Sequence, residues 1–406
     1  MIDAPSLQVE PPPFLADQAL VAVLDALPRA RLVGGCVRDA LAGLAVADFD
    51  LATPDSPDMV VAALREAGLK WAPTGLKHGT VTAISHHRGF EVTTLRRDVE
   101  TDGRHASVEW TDDWRIDAAR RDFTINAMSM TRDGRVFDYF GGAADLRAGR
   151  IRFVGDAGAR IAEDFLRILR FFRFQARYGR QPPDQPTLSA LRAGVPGLAL
   201  LSPERVWSEV KRILLAPDPA SSIRLMAELG VLAAVLPEAT QVDALDRLVA
   251  VGAPADPMLR LAALAPEAGE ALADRLRLAT AERTTLADLA GPPPDPALDG
   301  PNLRRTLADT PAETLIARSW LAHGEAGACL RARLAATERP HFTLAGRDAL
   351  ALGVPPGPVV GELIRDVREW WLEGGCLATP TECRAELARR AANIVPLPDN
   401  DERRHG

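Results

Sequence analysis

The sequence predicts an α+β chain, with a strand-bearing head in the first 150 residues and an all-helical remainder. Three observations carry this. Short apolar or alternating runs, separated by glycine and polar turns, are concentrated before residue 150. From about Arg160 onward leucine, alanine and arginine recur at helical period, interrupted by breaks at 181–186, 216–219, 291–296 and 353–358. Finally, 406 residues exceed the length at which a single core keeps growing, and a composition that is 47% hydrophobic can fill more than one.

In chain order, the opening residues up to Pro11-Pro12-Pro13 read as disordered, and helical period first appears over 15–27. A buried strand follows at 31–34, then a Gly34-Gly35 turn and a short helix over 37–41. Strands are expected at 48–52, 80–85, 90–95 and 136–139, with a helix at 57–67. Segment 96–110, polar and glycine-containing, reads as a mobile loop, and the polar tail from Pro396 reads as disordered. No fixed-period repeat is visible, so the helical part should consist of packed bundles and not a solenoid.

Bulk composition excludes several classes. No run of eighteen apolar residues and no basic-then-apolar N-terminal segment occurs, so neither a membrane span nor a secretory signal is expected, and a cytoplasmic location is. The four cysteines, Cys36, Cys329, Cys376 and Cys383, form no Cys-x-x-Cys pair, which favours reduced thiols over zinc or redox work. A net charge of −7 argues against indiscriminate coating of nucleic acid. Charge is nevertheless locally ordered: six arginines fall between Arg160 and Arg180 against only Glu163 and Asp164.

The chemistry is concentrated in a few words. Alternation along a strand would put the carboxylates of Asp48-Phe49-Asp50 on one face, a pair of hard oxygen ligands suited to Mg²⁺. Twelve residues earlier, the glycine turn and helix start leave backbone N–H groups for an anionic group. Glu91, in Gly89-Phe90-Glu91-Val92-Thr93, is a third carboxylate if its strand lies beside that of Asp50, or a solvated glutamate if it does not. Arg120-Arg121 reads as a basic pair at the start of a buried element. Glu163 to Arg173 reads on composition as an intrahelical ion-pair ladder with a core stripe of Phe165, Leu169 and Phe172.

Taken in order, Leu32-Val-Gly-Gly-Cys-Val-Arg-Asp39, Asp48-Phe-Asp50, Arg120-Arg-Asp-Phe-Thr-Ile-Asn-Ala-Met128, Asp138-Tyr-Phe-Gly-Gly142 and Glu163-Asp-Phe-Leu-Arg-Ile-Leu-Arg-Phe-Phe-Arg-Phe174 resemble the motifs of class II CCA-adding enzymes and bacterial poly(A) polymerases, within the DNA polymerase β-like nucleotidyltransferase superfamily. The likeness is strong from about Leu32 to Leu214, including Glu204-Arg-Val-Trp-Ser-Glu-Val210, and faint beyond it, where 342–361 is similar to a C-terminal segment of many members. Cys36 stands where the family more often has Ser or Ala, which raises the question of its reactivity toward oxidants.

The resemblance implies a nucleotidyltransferase head at 14–150, then a helical neck for nucleotide recognition (151–215), a body (216–335) and a tRNA-binding tail (336–406). It implies catalysis by Asp48, Asp50 and Glu91, with Asp48 and Asp50 holding Mg²⁺. Nucleotide binding falls to Gly35, Arg38, Arg121, Asp164, Arg167, Arg170 and Arg173, with CTP and ATP as substrates and tRNA as partner. The functional groups make sense of an Asp–Arg pair here. Cytosine and adenine both present an amine beside an unprotonated ring nitrogen, which an Asp accepts from and an Arg donates to, whereas uracil and guanine mispair with both. On one helix Asp164 and Arg167 would be neighbours at i, i+3, with Arg170 and Arg173 continuing the row.

Four other readings bear on the same motifs. Poly(A) addition is disfavoured because Gly75-Leu-Lys-His-Gly-Thr-Val-Thr82 resembles the tRNA-specific branch and a strongly basic tail is missing. Addition of only part of CCA is left open. An inactive RNA-binding adaptor is disfavoured by intact Asp48 and Asp50, and fusion to a metal phosphohydrolase by the lack of a His-Asp dipeptide.

Overall fold

The computed structural model describes residues 4–46, 48–75, 79–101 and 106–394. Its head is one mixed sheet of eight strands: β1 (Leu7–Gln8), β2 (Arg31–Val33), β3 (Asp50–Thr53), β4 (Lys70–Gly75), β5 (Thr80–Ser85), β6 (Arg88–Thr94), β9 (Met128–Met130) and β10 (Arg135–Asp138), in the order β1-β10-β9-β2-β3-β6-β5-β4. A separate antiparallel ribbon joins β7 (Arg96–Thr101) to β8 (Ala106–Trp110). The decisive pairing is β3 with β6, parallel, with Asp50 opposite Glu91. Along β6 Phe90, Val92 and Thr94 are buried while Glu91 is exposed, as the period-2 pattern requires.

Helices α1 (Gln18–Ala26), α2 (Gly35–Leu41), α3 (Pro57–Glu66), α4 (Trp114–Ala119) and α5 (Gly142–Ala148) accompany the sheet. They are followed by α6 (Ala157–Glu163), α7 (Leu166–Tyr178), α8 (Gln185–Gly194) and α9 (Pro203–Leu214). Local chemistry sets several of the starts. Asp17, Ser56, Asp156 and Asp184 accept N–H bonds as N-caps, and proline occupies the first turn of α3, α8 and α9, where its missing N–H costs nothing. One face of α7 buries Ile168, Leu169, Phe171, Phe172 and Phe174. Phe171 and Phe174 join Phe123 and Phe153 in a cluster with ring centroids 4.7–6.3 Å apart, which fixes α7 against the head.

The described chain divides into two compact units, Met1–Val242 with Asp274–Leu278, and Asp243–Ala273 with the residues from Ala279 onward. The second is helical and has its own cores. The largest places Leu363, Val367 and Trp371 of helix Pro358–Glu373 with Cys383 and Leu387 of helix Pro380–Ala391. No helix among the described residues is long and apolar enough to cross a membrane.

Several expectations need correction. The N-terminal segment is not disordered throughout: Leu7–Gln8 pairs with Arg135 and Val136, and Ser6 N–H donates to Val136 O at 2.8 Å. Edge pairing of this kind rests on backbone groups and leaves no mark on composition. Segment 96–110 is a hairpin and not a loop, with 102–105 outside the described residues. Strand β4 carries Pro73, which only an edge strand tolerates, and the register slips between Ala72 and Gly75. Residues 76–78 of the segment used to disfavour poly(A) addition, and the tail from Pro396, lie outside the described residues.

Candidate active site

The site grows from the glycine turn. Gly34 has φ +70°, and a Cβ there would stand 2.9 Å from Arg121 Nη1, so only glycine lets the arginine come this close. Gly35 opens α2, whose Arg38 is held on every side. Its guanidinium donates to both carboxylate oxygens of Asp39 (3.0 and 3.1 Å) and to Asn126 Oδ1 (2.6 Å), and lies 4.8 Å from the Tyr178 ring and 5.1 Å from the Phe174 ring. Tyr178 closes the loop by donating to Asp39 Oδ1 at 2.5 Å. Arg121 donates to Asn126 O and to Asp117, each at 3.5 Å. Two guanidiniums are thereby pre-oriented beside the turn.

Asp50 begins β3, but Asp48 precedes the strand, so the pair does not share a strand face as alternation suggested. The two carboxylates are nevertheless close enough to interact. Burial, then the negative charges of Glu91 and Asp48, push the Asp50 carboxyl above the ordinary range, while Arg121 opposes them. A cation would relieve this crowding. Among the described residues no three His, Cys, Asp or Glu side chains converge on a ready-made metal cage. That donor set suits Mg²⁺, which is held by one or two carboxylates together with substrate phosphates and waters.

A cavity of about 520 Å³ is lined by Gly34, Gly35, Arg38, Asp50, Arg121, Asp122, Asn126, Asp164, Leu166, Arg167, Arg170 and Arg205. It therefore unites Gly35, Arg38, Arg121, Asp164, Arg167 and Arg170 with Asp50. Arg173 is not among its lining residues: its guanidinium pairs with Glu209 at 3.2 Å, and burial, opposed by Glu209, lowers its pKa to about 10. Arg170 binds Asp122 at 2.5–2.7 Å. Burial alone would raise the Asp122 carboxyl, but Arg170 and hydrogen bonds from Asn126, Arg170 and the Phe123 N–H outweigh it and hold it below the usual range.

Asp164 does not belong to the same helix as the arginines. It closes α6 with φ −156° and ψ 110°, and α7 starts two residues later. Freed from the helix, its carboxylate accepts from the Leu166 N–H at 3.0 Å and from Arg205 Nη2 at 2.8 Å. Arg167 donates to Arg160 O at 2.8 Å and to the Glu163 carboxylate. The ion-pair ladder is thus real at Arg160–Glu163–Arg167, while the rest of the row faces other elements. Sequence reasoning gave no part to Asn126 or Arg205, both inside quoted motifs; their neighbours carried the charge pattern, and only folding shows what they bind.

Cys36 is buried and donates to Val33 O at 3.2 Å. Burial, the largest cause, pushes its thiol up to about 11, so it is neither nucleophilic nor readily oxidised at neutral pH.

Comparison with known proteins agrees with this architecture. Residues 30–152 match the family described as Poly A polymerase head domain, and 183–242 that described as a probable RNA and SrmB- binding site of polymerase A. The mitochondrial CCA tRNA nucleotidyltransferase 1 of Homo sapiens is 37% identical over 362 residues, 85% of this chain and 83% of the relative. The CCA-adding enzyme of Geobacillus thermodenitrificans is 38% identical over 225 residues, 54% of each chain. Among solved structures, the Bacillus stearothermophilus CCA-adding enzyme in complex with CTP superposes with a TM-score of 0.76 at 27% identity, over 94% of this chain and 98% of that one. The Thermotoga maritima CCA-adding enzyme complexed with tRNA shares the fold at a TM-score of 0.63 and 21% identity, over 93% and 96%. Sharing sequence over most of its length with such an enzyme, and matching the head-domain family over residues 30–152, this chain belongs to the CCA tRNA nucleotidyltransferase family.

Proposed function

We propose that this protein adds C, C and A in turn to the 3′ end of tRNA, without a template, using CTP and ATP and releasing pyrophosphate. One observation carries the reading. A single cavity is lined by cations fit for a triphosphate, by a carboxylate fit for a metal, and by an Asp and an Arg fit for the edge of a base.

In this reading Gly35, Arg38 and Arg121 hold the phosphates, Arg38 with little freedom because Asp39, Asn126 and two rings already fix it. Asp48 and Asp50 hold Mg²⁺, and Glu91 stands beside Asp50 to add negative charge and orient it. Bound there, Mg²⁺ supplies a lowered pKa for the primer 3′-hydroxyl and neutralises charge on the triphosphate and leaving group. Asp164 accepts from the amine of C or A and Arg167 donates to the ring nitrogen. Leaving these half-buried groups unpaired against U or G costs up to about 1–3 kcal/mol each. Arg170 acts from the cavity wall, and Arg173 acts from behind it by tying α7 to α9 through Glu209.

The head, neck, body and tail division at 14–150, 151–215, 216–335 and 336–406 is retained as a reading by function, in which the body draws on both compact units. The cytoplasm is the proposed compartment, on composition alone. The test is direct: purified protein with Mg²⁺, each NTP alone and CTP with ATP together, and tRNA lacking CCA, ending in C or ending in CC, with product length read on a gel; the lengths that follow are those with CTP and ATP together. Growth by three, two and one nucleotides, from CTP and ATP only, is expected. Stopping after the two C residues, or adding A alone, would indicate a partial enzyme.

A further inference from the structure

The peptide between the two proposed metal carboxylates is held from outside the cavity. Phe49 stands between Asp48 and Asp50, ahead of β3 and outside its pairing with β6. Its half-buried ring lies 6.3 Å from that of Phe90 and 5.2 Å from that of Phe14, which sits in the short helical turn Pro13–Ala16. Arg88 covers the same rings, its guanidinium 5.7 Å from the Phe49 centroid and 5.4 Å from that of Phe90. It also donates to Asp17 Oδ2 at 2.6 Å, while Asp17 Oδ1 caps α1 and the Asp17 N–H donates to Phe14 O at 3.0 Å. The turn, the start of α1 and β6 are thereby tied around one side chain. On β6 the buried Phe90 precedes the exposed Glu91, which lies opposite Asp50. The rings therefore meet on the reverse of the sheet from the carboxylates.

On the reading that Asp48 and Asp50 hold Mg²⁺, we infer that Phe14 and Arg88 are positioning residues for the metal site: they pin Phe49 and so fix the direction of the carboxylate on either side of it. Asp48 lies outside the strand, so its direction follows the backbone torsions at Phe49. A side chain clasped by two rings and a guanidinium leaves those torsions little freedom. The clasp also opposes charge: Asp48 and Asp50 repel each other, and on a free backbone they would swing apart before a cation arrived. Neither Phe14 nor Arg88 lines the nucleotide cavity, so their loss should weaken the hold on metal and spare the hold on nucleotide.

The test titrates Mn²⁺, a paramagnetic stand-in for Mg²⁺, into nucleotide-free protein and follows the free ion by electron spin resonance, with no turnover involved. Phe14→Ala should weaken Mn²⁺ binding about tenfold, the low end of what the outer supports of metal ligands contribute. Arg88→Ala should weaken it about threefold, as suits an exposed cation over two rings. Phe14→Leu, which keeps an apolar side chain against Phe49, should stay near the unaltered value. The Kd for CTP in EDTA, measured by calorimetry, should be the same in all of them. Circular dichroism establishes which variants are folded. An unshifted Mn²⁺ affinity in folded F14A overturns the assignment; should F14A not fold, R88A, whose side chain is 44% exposed, decides in the same way. Equal weakening of CTP binding in EDTA would mark a general loss of the cavity and overturn it too. If Asp50→Ala binds Mn²⁺ as the unaltered protein does, the metal reading itself falls.

Discussion

Gly34 combines a positive φ with a guanidinium at 2.9 Å from the place of a missing Cβ, so one methyl group there has two separable effects. Forcing an L residue into this backbone region costs on the order of 1–3 kcal/mol, and the far end of Arg121 must retreat. We expect Gly34→Ala to lower the melting temperature and to raise KM for CTP and ATP alike, checked by calorimetry and initial rates. The carboxylates behave differently. Asp48 precedes β3 and Asp50 opens it, and neither belongs to the apolar core, so Asp50→Ala or Asp48→Ala should leave folding and tRNA binding intact. Nucleotide addition should fall at least about a hundredfold, the scale of losing a group that stabilises transition-state charge. Near-native turnover in either variant would remove the proposed metal role.

Helix α7 serves the site at both ends. Its N-terminal turn offers Arg167 and Arg170 to the cavity, while Tyr178 at its C-terminus braces Asp39 behind Arg38. Tyr178→Phe deletes one hydrogen bond worth about 0.5–1.5 kcal/mol and should raise KM for both nucleotides without altering base choice. The Asp122–Arg170 pair makes a pH prediction. A carboxyl held below its unfolded value stabilises the fold above that value, about 4, and loses the contribution as pH falls through the folded one. The stability gap between the unaltered protein and Asp122→Asn should therefore be open at neutral pH and narrow below about pH 4, as followed by urea melts. At this scale the sequence was informative where period and apolar content agreed. The strand expected at 80–85 matches β5 to the residue, and of the stripe expected at Phe165, Leu169 and Phe172 the last two are buried in α7, whereas Phe165 precedes the helix and is half-buried. It was silent where backbone pairing or a broken helix decided: the three-residue β9 shows no alternation, and nothing in Glu163-Asp164-Phe165 announces the extended joint that turns Asp164 toward Arg205.

For the whole molecule, a finite product is the sharpest expectation. A net acidic protein holding RNA through limited phosphate contacts should prefer a folded acceptor stem, adding three nucleotides to tRNA lacking CCA and almost none to mature tRNA. Long A tails made from ATP alone on unstructured RNA, as efficiently as the tRNA products, would move the assignment to poly(A) polymerase. The path of the chain between its units also matters. Asp274–Leu278 returns to the first unit, where Arg275 binds Glu238 at 2.5–2.7 Å and Arg277 binds Glu204 at 2.7 Å. That return was not legible in the sequence, because residues 216–335 show only uniform helical composition. Ion pairs formed after a long detour carry no local pattern.

The buried thiol at the glycine turn has a practical consequence. Because Cys36 is sealed while Cys329 is exposed, a maleimide pulse on the intact protein should mark the second at once and the first only when the glycine turn opens. With the half-buried Cys376 and the equally buried Cys383 replaced by alanine, the slow component of such labelling would time the breathing of the turn itself, and its retardation by CTP or ATP would register occupancy of the proposed phosphate cradle with no turnover required.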